Sequence, residues 1–223
     1  MKDLKNIKFF IFDLDNTLYS DQTKVFEKID QKMSSYISKN LNVDLIKAKE
    51  IQKKYFYEYG TTLRGLQKNY NINPHEYLKY CHDIDVSFLK KDLSLRDELI
   101  KIKEKKYIFT NGSNSHVENI TTQLGIQGLF DGIHDIVDSN FIPKPSIEPY
   151  QKLINRFNID PTKSLFIEDI AQNLKPAYSM GMKTLWIENK NDFASKHANE
   201  PYVKYKTKVL SDFLKQINML KAK

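Results

Sequence analysis

The chain of 223 residues has a single cysteine, Cys81. That excludes an intramolecular disulfide and any all-cysteine metal cluster, and it reads as a buried thiol in a reducing compartment. Long apolar runs are missing too: nothing approaches the roughly 18 residues a membrane span needs. The short apolar stretch that follows the lysine-containing amino terminus ends in Asp13, unlike a signal peptide. These absences predict a soluble, cytoplasmic protein with no membrane partner. Arginine is scarce, limited to Arg64, Arg96 and Arg156, although the net charge is +7 and the pI near 9.1. The excess is lysine scattered with asparagine, whereas nucleic-acid surfaces cluster basic residues with stacking aromatics. No nucleic-acid partner is therefore expected, while a basic surface still favours encounter with a small anion. Internal repeats and low-complexity segments are also lacking.

What is present suffices for a core: 40% hydrophobic and 12% aromatic residues. The run Phe9-Phe10-Ile11-Phe12 leads straight into Asp13-Leu14-Asp15-Asn16-Thr17-Leu18. A continuous apolar run rich in Ile and Phe predicts a strand buried on both faces of a parallel sheet. Asp13 and Asp15 then fall at its carboxyl end, where open α/β sheets bind ligands. Two carboxylates so close repel, so either one is protonated or a cation sits between them. Both outcomes are chemistry: a carboxylate nucleophile, a neighbouring acid whose pKa the like charge raises, or a hard cation held by oxygens.

Between about residues 20 and 104 no strand is visible. Val25, Phe26, Ile29, Met33, Tyr36 and Ile37 recur at helical spacing. Asp44 predicts the N-cap of a second helix, Leu63 to Tyr70 a third, and His75 to Cys81 a fourth after the turn at Asn73-Pro74. Strands return at Tyr107-Ile108-Phe109, near Ile136-Val137, at Leu165-Phe166-Ile167, at Thr184 to Ile187 and around Tyr202 to Tyr205. Helices are predicted from about Ser115 to Leu124, from Glu148 to Phe157 with Ser146 as cap, from Ala177 to Met180, and at the carboxyl terminus. Strand and helix alternating in this way predict a doubly wound parallel sheet.

Three further polar clusters follow apolar runs: Thr110-Asn111-Gly112, Lys144-Pro145 and Glu168-Asp169 with Asn173. A hydroxyl, an amide and backbone N–H groups at a strand end suit phosphate oxygens. Pro145 keeps Lys144 out of helical geometry, a constraint that a solvated lysine does not need.

With these four clusters in order, the chain resembles the haloacid dehalogenase superfamily of phosphatases along nearly its whole length. The resemblance implies a Rossmann-like α/β core over residues 1–17 and 95–223, with a second, smaller all-helical cap over 18–94. It implies that Asp13 attacks phosphorus, that Asp15 serves as acid and then base, and that Lys144 and Thr110 complete the catalytic set. Thr17, Asn111 and Gly112 would bind the phosphate. Mg2+ would be held by Asp13, by Asp15 through its backbone carbonyl and by Asp169, with Glu168 or Asn173 behind. An aspartate at position 15 favours phosphate esters over haloacids.

The stretch Tyr59-Gly60-Thr61-Thr62-Leu63-Arg64-Gly65-Leu66, with Asn73-Pro74-His75-Glu76-Tyr77, is similar to the cap of the pyrimidine 5′-nucleotidase branch. That implies a Mg2+-dependent nucleoside 5′-monophosphate phosphatase, with Arg64 and Tyr59 contacting the nucleotide and the chain acting as monomer or homodimer. The alternatives are a sugar-phosphate or phosphoglycolate phosphatase, a phosphomutase, or a nonenzymatic binding protein on the same scaffold. The partner in the enzymatic cases is a small phosphorylated metabolite. The five histidines read as surface or packing residues, with His116 alone near the site.

Overall fold

The computed structural model describes residues 2–222. Its centre is β1 (Phe9–Phe12), flanked on one side by β2 (Lys105–Phe109) and β3 (Gly132–His134), and on the other by β4 (Ser164–Glu168), β5 (Lys183–Ile187) and β6 (Tyr205–Thr207). All five pairings are parallel, in the order β3-β2-β1-β4-β5-β6. The doubly wound parallel sheet expected from the alternating pattern is therefore present. Successive strand residues point to opposite faces, so each apolar run feeds two cores. Phe10, Phe12, Ile108, Leu165, Ile167 and Leu185 enter one, while Ile11, Tyr107, Phe109, Phe166 and Trp186 enter the other. The strand order reverses between β1 and β4, which makes the crevice beyond their carboxyl ends the topological switch point.

Five helices intervene between β1 and β2: α1 (Val25–Leu41), α2 (Leu45–Tyr59), α3 (Thr62–Asn69), α4 (Pro74–His82) and α5 (Leu93–Lys101). Asp44 caps α2 by accepting from the Lys47 N–H, and Asn73 caps α4 ahead of Pro74. The first four pack on one another, α1 against α2 and α4, and α2 against α3. Gly65 permits the α2–α3 crossing, since a Cβ there would lie 2.3 Å from the Tyr55 ring. α5 instead packs against the carboxyl-terminal α10 (Leu210–Lys221). The remaining crossovers are α6 (Asn114–Leu124), α7 (Ile147–Phe157), α8 (Leu174–Ser179) and α9 (Asp192–Ser195). Among the described residues, no helix is long and apolar enough to cross a membrane.

Four local expectations need correction. The third strand lies at Gly132–His134, not at Ile136-Val137, because Asp135 folds the next residues into a turn by accepting from the Val137 and Asp138 N–H groups. The last strand begins at Tyr205 rather than Tyr202. Ser146 precedes α7 without a side-chain cap bond. Helices α5 and α9 lie where no helix was expected: α5 is weakly amphipathic and α9 is a single turn.

Candidate active site

Immediately after β1 the chain turns. The N–H groups of Thr17 and Leu18 both donate to the Leu14 carbonyl, and Asn16 takes a left-handed conformation at φ 59°. Leu14 and Leu18 are buried and pin the turn to the core. The turn aims the two aspartates in different directions. Asp13, still held to β4 by donating its N–H to the Ile167 carbonyl, looks towards the ends of β2 and β4. Asp15 looks towards α6.

Around Asp13 the interactions are dense. The Lys144 side chain is 1% exposed, and its Nζ donates to Asp13 Oδ1 at 2.7 Å, Glu168 Oε1 at 2.9 Å and the Phe109 carbonyl at 2.9 Å. An ammonium has three protons, and each has a partner. Burial works against the charged lysine, but the two carboxylates outweigh it and push its pKa up. Asn111 braces the lysine backbone, accepting from the Lys144 N–H at 2.9 Å. The Lys144–Pro145 peptide is cis. Glu168 is fully committed: Oε1 also accepts from Asn173 Nδ2 at 2.6 Å, and Oε2 from the Ile170 N–H at 2.7 Å. Asn189 Nδ2 donates to Asp169 Oδ2 at 3.1 Å, and Trp186 Nε1 to the Asp169 carbonyl at 2.6 Å.

Carboxylate oxygens of Asp13, Glu168 and Asp169 lie within 4.8 Å of one another, all three residues buried. Burial, with the charges of Glu168 and Asp15, raises the Asp13 pKa to about 7 despite Lys144. Burial and the charges of Glu168 and Asp13 push Asp169 well above the usual carboxylate range. Three carboxylates against one ammonium leave two negative charges uncompensated, the donor set and charge that suit a divalent, oxygen-seeking cation.

Asp15 reverses one expectation. Its Oδ1 accepts from the Tyr19 hydroxyl at 2.5 Å and pairs with His116 Nε2 at 2.7 Å. Burial alone would raise the Asp15 pKa, but His116 and Tyr19 outweigh it and the net shift is downward. The like charge of Asp13 therefore does not govern Asp15, as the sequence suggested; a histidine 101 residues away does. The Asp15 side chain also stands outside the acidic trio, and the third carboxylate there is Glu168.

His82 is a second histidine at the site. It stacks on His116 with ring centroids 4.6 Å apart, its Nδ1 lies 2.7 Å from Ser113 Oγ, and burial with the His116 charge lowers its pKa to about 3. Tyr19, four residues after Asp15, was legible as a neighbour in the chain. His82 and Asn189 carried no local signal.

A cavity of about 840 Å³ opens over this cluster, between the strand ends and the helices. It is lined by Asp13, Asp15, Thr110, Asn111, Gly112, Lys144 and Asp169 from the sheet edge, and by Tyr59 from α2. Thr110 Oγ1 accepts from the Gly112 N–H at 2.9 Å. Arg64 is half-buried, Thr17 is buried with its hydroxyl unpartnered, and neither lines the cavity. Gly60, at φ +83°, brings the end of α2 down onto the loop that carries Lys144: a Cβ there would lie 3.3 Å from the Lys144 carbonyl. Farther along, the Phe193 ring meets Phe56 at 4.5 Å and Tyr57 at 5.4 Å, bridging α9 and α2.

Comparison with known proteins agrees with this geometry. Residues 7–181 match the family model described as haloacid dehalogenase-like hydrolase. The chain is 35% identical over 193 residues to "Phosphate metabolism protein 8" of Saccharomyces cerevisiae, covering 78% of this chain and only 60% of that protein. It is 25% identical over 196 residues to "Glyceraldehyde 3-phosphate phosphatase" of Methanocaldococcus jannaschii, covering 81% and 85%. In fold it is similar to the crystal structure of a HAD phosphatase from Thermococcus onnurineus, with TM-score 0.63 and 18% identity over 95% of this chain and 98% of the other.

Proposed function

The chain belongs to the haloacid dehalogenase-like hydrolase family, and from that premise we propose that it hydrolyses phosphate monoesters by way of a phosphoryl group carried on Asp13. The observation that carries this reading is the set of three hydrogen bonds that Lys144 Nζ donates to Asp13, Glu168 and the Phe109 carbonyl at the end of β2. It holds a fixed positive charge against a buried carboxylate that faces a substrate-sized cavity.

In the first half-reaction, an Asp13 oxygen forms a bond to phosphorus while the bond to the ester oxygen breaks. Asp15 passes a proton to the departing alkoxide. The resting Asp15 is held ionised, so that proton arrives with substrate: an anionic phosphoryl group beside Asp15 raises its proton affinity. In the second half-reaction Asp15 takes a proton from water, the water oxygen bonds to phosphorus, and the bond to Asp13 breaks, releasing inorganic phosphate. Lys144 offsets charge on the nucleophile and on the phosphoryl oxygens, and Thr110 with the Asn111–Gly112 backbone orients them. Asp13, the Asp15 carbonyl and Asp169 would hold Mg2+, with Glu168 fixing Lys144 and Asn173 fixing Glu168. When bound there, the ion would supply positive charge to the phosphoryl oxygens.

Residues 18–94 serve in this reading as a cap over a core of residues 1–17 and 95–223. The packing of α1 to α4 on one another supports the division. For substrate we favour a nucleoside 5′-monophosphate, pyrimidine by the likeness of residues 59–66, with Tyr59 rather than Arg64 as the contact. The aromatic lining by Phe26, Phe56, Tyr57, Tyr59 and Phe193 supports it, since rings of this kind suit a flat base. The name of the archaeal relative favours a triose phosphate as the second reading. Phosphate release measured over nucleotides, triose and sugar phosphates and p-nitrophenyl phosphate is the test. The expected result is Mg2+-dependent release that a chelator abolishes. Release unaffected by the chelator, or none from any ester, contradicts the proposal.

A further inference from the structure

The helical side of the cavity carries a charge pattern that bears on the leaving group. Besides the site carboxylates, the lining includes Asp21, Glu27, Asp30 and Glu58, and among the described residues its only lysine beyond Lys144 is Lys53. Lys53 is not free to greet an anion: its Nζ lies 3.5 Å from Asp30 Oδ1. Asp30 is anchored as well by Lys49 and by Gln52 Nε2 at 2.7 Å, within a buried network that includes Ser34. The partners of Glu27 and Glu58 are Lys24 at 3.7 Å and Lys54 at 3.9 Å. Both lie outside the lining with side chains 69% and 64% exposed, so they give most of their charge to water. No arginine lines the cavity, and Arg64 lies elsewhere on α3. A protein with net charge +7 thus presents a substrate chamber of the opposite sign, with aromatic rings between the carboxylates.

We infer that the cavity selects phosphate monoesters whose leaving group is uncharged or cationic, and discriminates against those carrying a second anion. This inference rests on the phosphatase reading above. The phosphoryl group itself is served by Lys144 and the sheet edge. A carboxylate or second phosphate on the leaving group would face Asp21, Glu27 and Glu58 with no unspent cation among the lining residues, the charge of Asp30 being already offset by Lys49 and Lys53. A ribose with a neutral base, or a three-carbon polyol or aldehyde, meets those same carboxylates as hydrogen-bond acceptors for its hydroxyls and lays its apolar face on the rings. Phosphoglycolate, whose leaving group bears a carboxylate, is disfavoured on this ground.

The test uses the full chain and two matched pairs at fixed free Mg2+. Glycerol 3-phosphate against 3-phosphoglycerate differ at the far carbon, and uridine 5′-monophosphate against uridine 3′,5′-bisphosphate differ by one phosphate. The neutral member of each pair is expected to show the higher kcat/KM, by on the order of tenfold for one unscreened like-charge contact. The preference should shrink in 0.5 M salt and in the Glu27→Gln/Glu58→Gln double variant, whose folding circular dichroism can check. Equal or better turnover of the anionic members, with a ratio that neither salt nor the variant moves, overturns this inference alone. No phosphate release from any ester, p-nitrophenyl phosphate included, overturns the phosphatase reading and takes this inference with it.

Discussion

The two walls of the cavity are built on opposite principles. At the strand ends, Asp13, Lys144, Glu168 and Asp169 are buried, every proton of the lysine is assigned, and each partner has a partner of its own. On the helical wall, Glu27 and Glu58 stand half in water with loose lysine partners, and Tyr57 meets Phe56 and Phe193 edge to face. The first arrangement fixes charge where a reaction needs it at the cost of a strained electrostatic balance, visible in Asp13 being pushed up to about 7. The second tolerates change, and so suits the choice of leaving group. In the proposed function, chemistry falls to the buried sheet edge and selection to the more exposed helical layer.

The contrast predicts unequal damage. Lys144→Met should lower kcat/KM by about a thousandfold or more and cost about 3–5 kcal/mol, because Asp13 and Glu168 would face each other without their cation. Adding Glu168→Gln should recover part of the stability in urea unfolding and none of the activity. A stable, active Lys144→Met protein would remove the distinction between the walls.

His116→Ala should lower kcat by about 10- to 100-fold with little change in KM, since Asp15 loses the partner that orients it. Partial rescue in His116→Gln, which keeps a donor, separates positioning from packing. A loss confined to KM contradicts this role.

On the helical wall, Gly65→Ala should cost about 1–3 kcal/mol by forcing Tyr55 off the α2–α3 crossing. Thermal unfolding measures this, and kcat on p-nitrophenyl phosphate should hold steady.

The smallest effect concerns His134, away from the site, whose ring nitrogens are both buried without partners. Burial lowers its pKa to about 4 from an ordinary value of 6.5. The unfolded chain therefore takes up the proton first. The contribution of His134 to stability is full above pH 6.5 and declines as pH falls towards 4. His134→Asn should flatten that part of the pH–stability curve.

The same division governs what the sequence discloses. β1, β2, β4 and β5 are legible because a strand buried on both faces must be apolar throughout, and the polar residues that interrupt each run mark the sheet edge. β3 and β6 are sheet-edge strands of three residues, supported by neighbours rather than by their own pattern, and were misplaced by a few residues. The charges at the strand ends were readable as residue types. Their states were not: Asp15 takes its low pKa from His116, and His82 reaches the site from α4 by stacking on that same ring. Arg64 shows the limit of reading a helical wall from a motif, since one turn of α3 decides whether a side chain lines the cavity.

The central claim is that Asp13 carries the phosphoryl group, and rapid acid quench of the protein with a 32P-labelled ester, followed by peptide mapping, tests it most directly. The account predicts label on the peptide containing Asp13 within the first turnover, and neither label nor phosphate release in Asp13→Asn. Phosphate release at an undiminished rate from Asp13→Asn, or label on a different residue, would contradict it.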